Sequence, residues 1–211
     1  MKELFRRLRN ITIAAPIICA AITLCGCVSE SDIEENESQK ETIISYLEGS
    51  HSPSLIAESE VSSSLDLEPA FYTSYGDFAF RYISIQYDAG RDEKAEVKSG
   101  SSILINFRLH SFSGSAISDD ELPVYTNEAI YKSEYEEAGL NLEYWTFLPM
   151  EIIVGKTTLL SSIQDGLIGC REGDIVELYM TRNMAYGDDV IGLIDQWSSL
   201  VFFCTVLSVE N

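Results

Sequence analysis

Two runs near the carboxy terminus place apolar residues at every second position: Val176, Leu178 and Met180, then Leu200, Phe202, Cys204 and Val206. Successive side chains of a strand point to opposite faces, so this spacing fits half-buried strands. Ile103, Ile105, Phe107 and Leu109 form a third run, interleaved with Leu104, Asn106, Arg108 and His110, opened by Gly100 and closed by Ser113-Gly114. Phe78, Phe80 and Tyr82, then Ile83, Ile85 and Tyr87, read as a strand ended by the turn chemistry of Asp88-Ala89-Gly90. Glu151 to Val154 is a further candidate. Between the later strands, Leu159, Leu160, Ile163 and Leu167 have helical spacing, with Thr157 or Thr158 available as a cap and Gly166 near the end. The pattern predicts an α+β fold of antiparallel strands around one short helix. Val201 and Phe203 make the last strand apolar on its other face too, so a cover is expected there. Residues 41–75, the segment 121–148 or a partner protein could supply it.

The remaining segments are less regular. Residues 121–148 hold six aromatics (Tyr125, Tyr131, Tyr135, Tyr144, Trp145, Phe147) and one short helix over Glu128 to Ala138, ended by Gly139. A second short helix is expected over Thr42 to Glu48, stopping at Gly49, followed by a Ser- and Glu-rich linker to residue 70 with Pro53 and Pro69. Val28 to Glu41 carries six acidic residues against Lys40 alone, which predicts a solvated tether.

The amino terminus has the marks of an export signal. Lys2, Arg6, Arg7 and Arg9 precede a mostly apolar run of 14 residues, Ile11 to Leu24. A membrane span needs about 20 residues, whereas a run of this length suits a signal-peptide core. Leu24-Cys25-Gly26-Cys27 resembles a bacterial lipobox, which implies acylation of Cys27 and a lipid anchor in the cell envelope, at the outer membrane. An ordinary cleaved signal and a short anchor are the alternatives. The acidic residues behind Cys27 also resemble the surface-export signal of Bacteroidetes lipoproteins. The full chain has 14 basic and 34 acidic groups, a net charge of −20; residues 1–26 hold four of the basic and one of the acidic, leaving ten against 33, or −23. Nucleic-acid binding depends on neutralising phosphates with Lys and Arg, so that charge argues against it, and equally against docking on anionic lipid. Beyond the signal and Cys27 only Cys170 and Cys204 remain, and both a disulfide and two buried thiols are open readings. His51 and His110 are isolated and no C-x-x-C occurs, so no metal site is expected.

Gly155-Lys156-Thr157-Thr158 is no phosphate loop, because Met150 stands where the first glycine would be needed. The same residues belong to another series: Val154-Gly155-Lys156, Asp165-Gly166-Leu167, Glu172-Gly173-Asp174, Ala185-Tyr186-Gly187, Leu200-Val201-Phe202 and Val206-Leu207. In this order and at these spacings the series resembles the FKBP-type peptidyl-prolyl isomerases, over about residues 78–210. The insertion at 121–148 replaces a short loop of compact members.

The resemblance divides the chain into a lipoprotein signal (1–26), an acidic tether with helix and linker (27–77) and an FKBP-like domain (78–211). It implies a chemistry without cofactor, metal or covalent nucleophile. The barrier to rotating an X–Pro bond, about 18–20 kcal/mol, is set by amide resonance. An apolar pocket favouring the twisted amide, with a backbone N–H on the substrate carbonyl, can lower it. By the same resemblance Tyr186 is the pocket tyrosine, Phe202 the aromatic of the last strand, and Leu159 and Leu160 the apolar pair whose backbone meets the substrate. Phe107 stands in place of a tyrosine, Met150 of an aromatic, Ile163 of the floor tryptophan, and Ile117-Ser118 of a Phe-Asp pair, with Asp119 following. Tyr186, Phe202, Phe107 and Leu160 are thus the expected catalytic set, and Leu159, Ile163, Met150 and Ile117 the substrate-binding set. Proline-containing polypeptides are the expected partners. The altered positions leave two further readings: a binding or chaperone module that has lost turnover, and a purely structural surface lipoprotein.

Overall fold

A computed structural model of the chain describes residues 30–62, 69–84, 90–143 and 145–211. Cys27 and the export signal lie outside them, as do Ile85, Tyr87, Asp88, Ala89 and Tyr144. The expected fold class is the one observed: an eight-stranded, mostly antiparallel sheet with one short helix on its inner face. The chain runs through helix α1 (Glu30–Gly49), β1 (Ile56–Ala57), β2 (Phe71–Gly76), β3 (Ala79–Ser84), β4 (Ser102–Ser111), β5 (Tyr125–Thr126), α2 (Lys132–Glu137), β6 (Met150–Ile153), α3 (Ser161–Leu167), β7 (Ile175–Met180) and β8 (Leu200–Glu210). Spatially the order is β1-β2-β3-β7-β8-β4-β5, with β6 beside β4 as well. β4 and β8 pair over their full lengths, Leu109 opposite Phe202 and Phe107 opposite Cys204.

The register sorts the alternating residues onto two faces, each with its own core. On the inner face Ile103, Ile105, Phe107, Leu178, Phe202, Cys204 and Val206 pack against Ile163 and Leu167 of α3. On the outer face Phe80, Tyr179, Val201 and Phe112 pack against Ile43, Tyr46 and Leu47 of α1 and against Leu55. The cover that Val201 and Phe203 called for is therefore α1 with the segment behind it. Burying a Leu or Ile side chain contributes roughly 1.5–3 kcal/mol, which accounts for so short an apolar patch holding the helix in place.

Four local expectations need correction. The acidic stretch read as a tether is helical from Glu30, because Asn36 and Gln39 hydrogen-bond backbone more than 140 residues away. The segment read as linker contributes β1, the buried Leu55, and His51, whose ring bonds Glu177 at 2.9 Å and the Pro53 carbonyl at 2.7 Å. Phe71 to Ser84 is a hairpin turning at Asp77-Phe78, so the sheet includes residues assigned to the extension. Neither Thr157 nor Thr158 caps α3: Leu160 occupies that position, and Thr157 Oγ1 instead accepts the Ile153 N–H at 2.8 Å. Gln164 does the work of holding the turn, its amide accepting the Gly155 N–H at 2.7 Å and donating to the Thr157 and Leu159 carbonyls.

The Glu172-Gly173-Asp174 motif acquires a physical reason. Asp174, 2 % exposed, accepts from Arg91 Nε and Nη2 at 2.7 and 2.8 Å and from the Arg171 N–H at 2.8 Å, tying the loop before β4 to the start of β7. Cys170 and Cys204 are buried free thiols, and burial pushes Cys170 up to about 12.

Candidate functional site

The inner core rises toward the surface through a series of aromatic rings. Phe107 and Phe202 stack at 5.3 Å with 23° between their planes. Tyr125 lies 5.3 Å beyond Phe107, Trp145 5.2 Å beyond Tyr125, and Tyr135 4.7 Å from Trp145. The inserted segment supplies the outer three and is fixed to the edge of β4. Thr126 donates to the Phe107 carbonyl at 2.5 Å; Asn127 accepts the Phe107 N–H at 2.8 Å and donates to the carbonyls of Ile105 and Leu148. The Tyr135 hydroxyl donates to the Pro123 carbonyl at 2.6 Å. All these polar groups are paired, which low-dielectric surroundings require.

Above these rings opens a cavity of about 500 Å³. Leu109, Val124, Tyr125, Leu140 and Trp145 line one side, and Tyr186 with Ile191 to Ile194 the other. The size and apolar lining suit a few residues of an extended chain or a small ligand. Tyr186 is half-buried, and burial with the neighbouring Tyr125 holds its phenol above the usual range, so it presents a neutral O–H. Its loop is anchored below by Ser162, which donates to the Met184 carbonyl at 2.5 Å. The loop closes where the Trp197 N–H donates to the Gly187 carbonyl at 2.7 Å.

The residues expected at the site occupy three settings. Tyr186 lines the cavity. Phe107, Phe202 and Ile163 are 1–3 % exposed and form the core beneath, while Leu159, Leu160 and Met150 pack against that core half-buried. Leu160 heads α3, and its N–H makes no hydrogen bond among the described residues. Ile117 is elsewhere: past β4 the chain follows Phe112 onto the outer face, and Ile117 packs with the α1 cluster. Asp119 goes with it, so the inner cavity has no carboxylate from this segment. Sequence reasoning missed Leu109, Val124, Ile191, Leu193 and Ile194 as lining residues; the apolar run Val190-Ile191-Gly192-Leu193-Ile194 between two aspartates, in which Val190, Ile191 and Leu193 are exposed, was the available signal.

A second cavity of about 470 Å³ lies on the outer face, between the end of α1, β4, β7 and residues 116–121. It is polar, lined among others by His51, Arg108, His110, Glu121 and Glu177. His51 and the Tyr179 hydroxyl both bond Glu177, at 2.9 and 2.6 Å. His110 is 2 % exposed, with neither ring nitrogen hydrogen-bonded among the described residues and Nδ1 3.8 Å from the Glu121 carboxylate, and burial followed by the nearby Arg108 lowers its pKa to about 4.

No family model and no curated protein matches the sequence. Solved structures sharing the course of the chain include the N-terminal domain of FKBP42 from Arabidopsis thaliana, at 12% identity and a TM-score of 0.45, covering 72% of this chain and 98% of that one. FkpA from Escherichia coli gives 14% and 0.47, covering 86% of this chain and 62% of that one. A multi-domain immunophilin from Arabidopsis thaliana gives 12% and 0.45, covering 72% and 49%. Each likeness is one of chain course at an identity too low to carry an activity across.

Proposed function

We propose that the chain is an exported lipoprotein, anchored through Cys27 in the bacterial envelope, whose sheet domain is an FKBP-like peptidyl-prolyl isomerase acting on proline-containing segments. The observation that carries this reading is the apolar cavity lined by Tyr186, Tyr125 and Trp145, with Tyr125 resting on the stacked Phe107 and Phe202 rings of the core. Such a setting favours an amide whose nitrogen has lost conjugation, since the twisted form is less polar than the planar one. The unbonded Leu160 N–H and the Tyr186 O–H are the donors for substrate carbonyls. No proton is transferred and no bond to the protein forms. The test is a prolyl-isomerisation assay on the purified chain with Tyr186→Ala beside it. Catalysis reduced tenfold or more by the substitution supports the reading; a rate equal to buffer for both proteins removes it.

A binding module without turnover is favoured by one feature: Ile163, where the resemblance calls for a floor tryptophan, is fully buried core. Peptide binding without catalysis would select it. For the anchor, Cys27→Ala should move the protein from the membrane fraction to the soluble one, and persistence in the membrane would remove that part.

A further inference from the structure

We infer that the inner cavity takes proline-containing segments flanked by lysine or arginine, which rests on reading that cavity as the client site. Its lining residues carry no charge. The two loop segments that line it carry one sign only. Residues 183–199 contain Asp188, Asp189 and Asp195 and no basic residue, and residues 140–149 contain Glu143 and no basic residue. All four carboxylates are exposed. Asp188 accepts the Trp197 indole N–H at 2.7 Å and stands 4.0 Å from Arg182, so part of its field is already answered. Among the described residues no ion pair engages Asp189, Asp195 or Glu143.

Apolar lining and acidic frame divide the selection of a client. The lining rewards burial of apolar surface at the centre of the segment, whatever its neighbours. The frame acts on the flanks, which stay in water. An exposed ion pair typically changes an equilibrium about twofold and at most about fivefold, so three at the typical value together give roughly tenfold. Most of that lies in the rate of encounter and is screened as salt rises. The net charge of −20 makes a second copy of this chain, or an anionic lipid surface, a poor occupant of the same groove. A basic polypeptide is the complementary one.

Three peptides with a common Leu-Pro centre and lysine, glutamine or glutamate flanks test this on the purified full-length chain. Dissociation constants are measured at about 0.02 M and about 0.5 M salt. The expected order is lysine tightest and glutamate weakest, about tenfold apart at low salt and within about twofold at high salt. Combined Asp189→Asn, Asp195→Asn and Glu143→Gln should bring the low-salt ratio to about threefold or less. A control removing the same charge elsewhere, Glu34→Gln with Glu35→Gln and Glu41→Gln, should leave it near tenfold. Equal affinities, or a ratio that falls only in the control, would overturn the inference while leaving the client site standing. Absence of binding by all three peptides would overturn both.

Discussion

Gln39 of α1 accepts the backbone N–H of Arg182 through its Oε1 at 2.8 Å, from 143 residues away in the chain. The same side-chain amide donates from Nε2 to the Trp197 carbonyl at 2.7 Å. Arg182 and Trp197 bracket the loop that carries Tyr186, Ile191 and Ile194, so one residue of the amino-terminal helix closes the base of the cavity wall. Asp32 adds an ion pair to Arg182 at 2.8 Å, and Asn36 accepts the Asn183 N–H at 3.4 Å. The cover of the outer face thus also holds the site on the inner one.

Gln39→Leu removes both bonds while keeping the side chain's bulk. With each worth about 1 kcal/mol, amide exchange over residues 183–197 should speed up roughly thirtyfold, with β8 unchanged. Hydrogen exchange by mass spectrometry checks this, and uniform acceleration across the sheet would mean that α1 acts on global stability alone.

Gly166 offers a reversal of the usual helix rule. An alanine in place of a helical glycine ordinarily gains about 1 kcal/mol. Here a Cβ would meet the Leu178 methyls at 2.7 and 2.8 Å and the Tyr75 ring at 3.0 Å. Leu178 is fully buried and has nowhere to retreat. Gly166→Ala should therefore cost about 1–3 kcal/mol in denaturant unfolding. A gain in stability would show that α3 stands farther from β7 than described.

Leu47 is completely buried between α1 and the outer face of the sheet. Leu47→Ala should destabilise by about 2–5 kcal/mol and promote aggregation through Val201, Phe80 and Tyr179. A loss below about 0.5 kcal/mol would mean that α1 is not part of the folded unit.

His110 gives stability a dependence on pH. Its folded pKa of about 4 lies below the ordinary 6.5, so the unfolded chain binds the extra proton between those values. The stability tied to neutral His110 is complete above pH 6.5 and is lost as pH falls toward 4. At pH 5 the loss is about 2 kcal/mol. His110→Phe keeps the ring and removes both unbonded nitrogens, so its unfolding midpoint should fall less than that of the natural chain from pH 7 to pH 5. Parallel curves for the two proteins would contradict this. His51 moves oppositely: burial lowers its pKa, but the bonds to Glu177 and Pro53 outweigh that and raise it overall, so its contribution is complete below the ordinary 6.5 and fades as pH rises above it. It cancels in the comparison.

The central sheet was legible because alternation is a property of single strands. Ile103 to Leu109 and Leu200 to Val206 needed only their own spacing to declare a buried face, and the two-faced final strand announced a cover. What supplied the cover was harder to see. Residues Glu30 to Glu41 have little apolar surface, and their helix is held by Asn36 and Gln39 reaching backbone groups that no local pattern reveals. The site divided the same way. Tyr186 was identifiable from its tripeptide, but Tyr125 and Trp145 reach the cavity only because Thr126 and Asn127 fasten the inserted segment to β4. Ile117 was misplaced because the choice of face after Ser111 is made by the packing of Phe112 against Tyr46 at 5.2 Å, not by register along the chain.

The account stands or falls on which cavity receives the client. An isotope-labelled chain titrated with a Leu-Pro peptide would show it in the nitrogen–proton shifts. The expected result is perturbation at Tyr125, Tyr186, Leu193, Ile194, the Leu160 N–H and the Trp145 indole, with His51, His110 and Tyr179 unmoved. Shifts confined to His51, His110 and Tyr179 would place the ligand in the polar cavity behind the sheet and contradict the assignment.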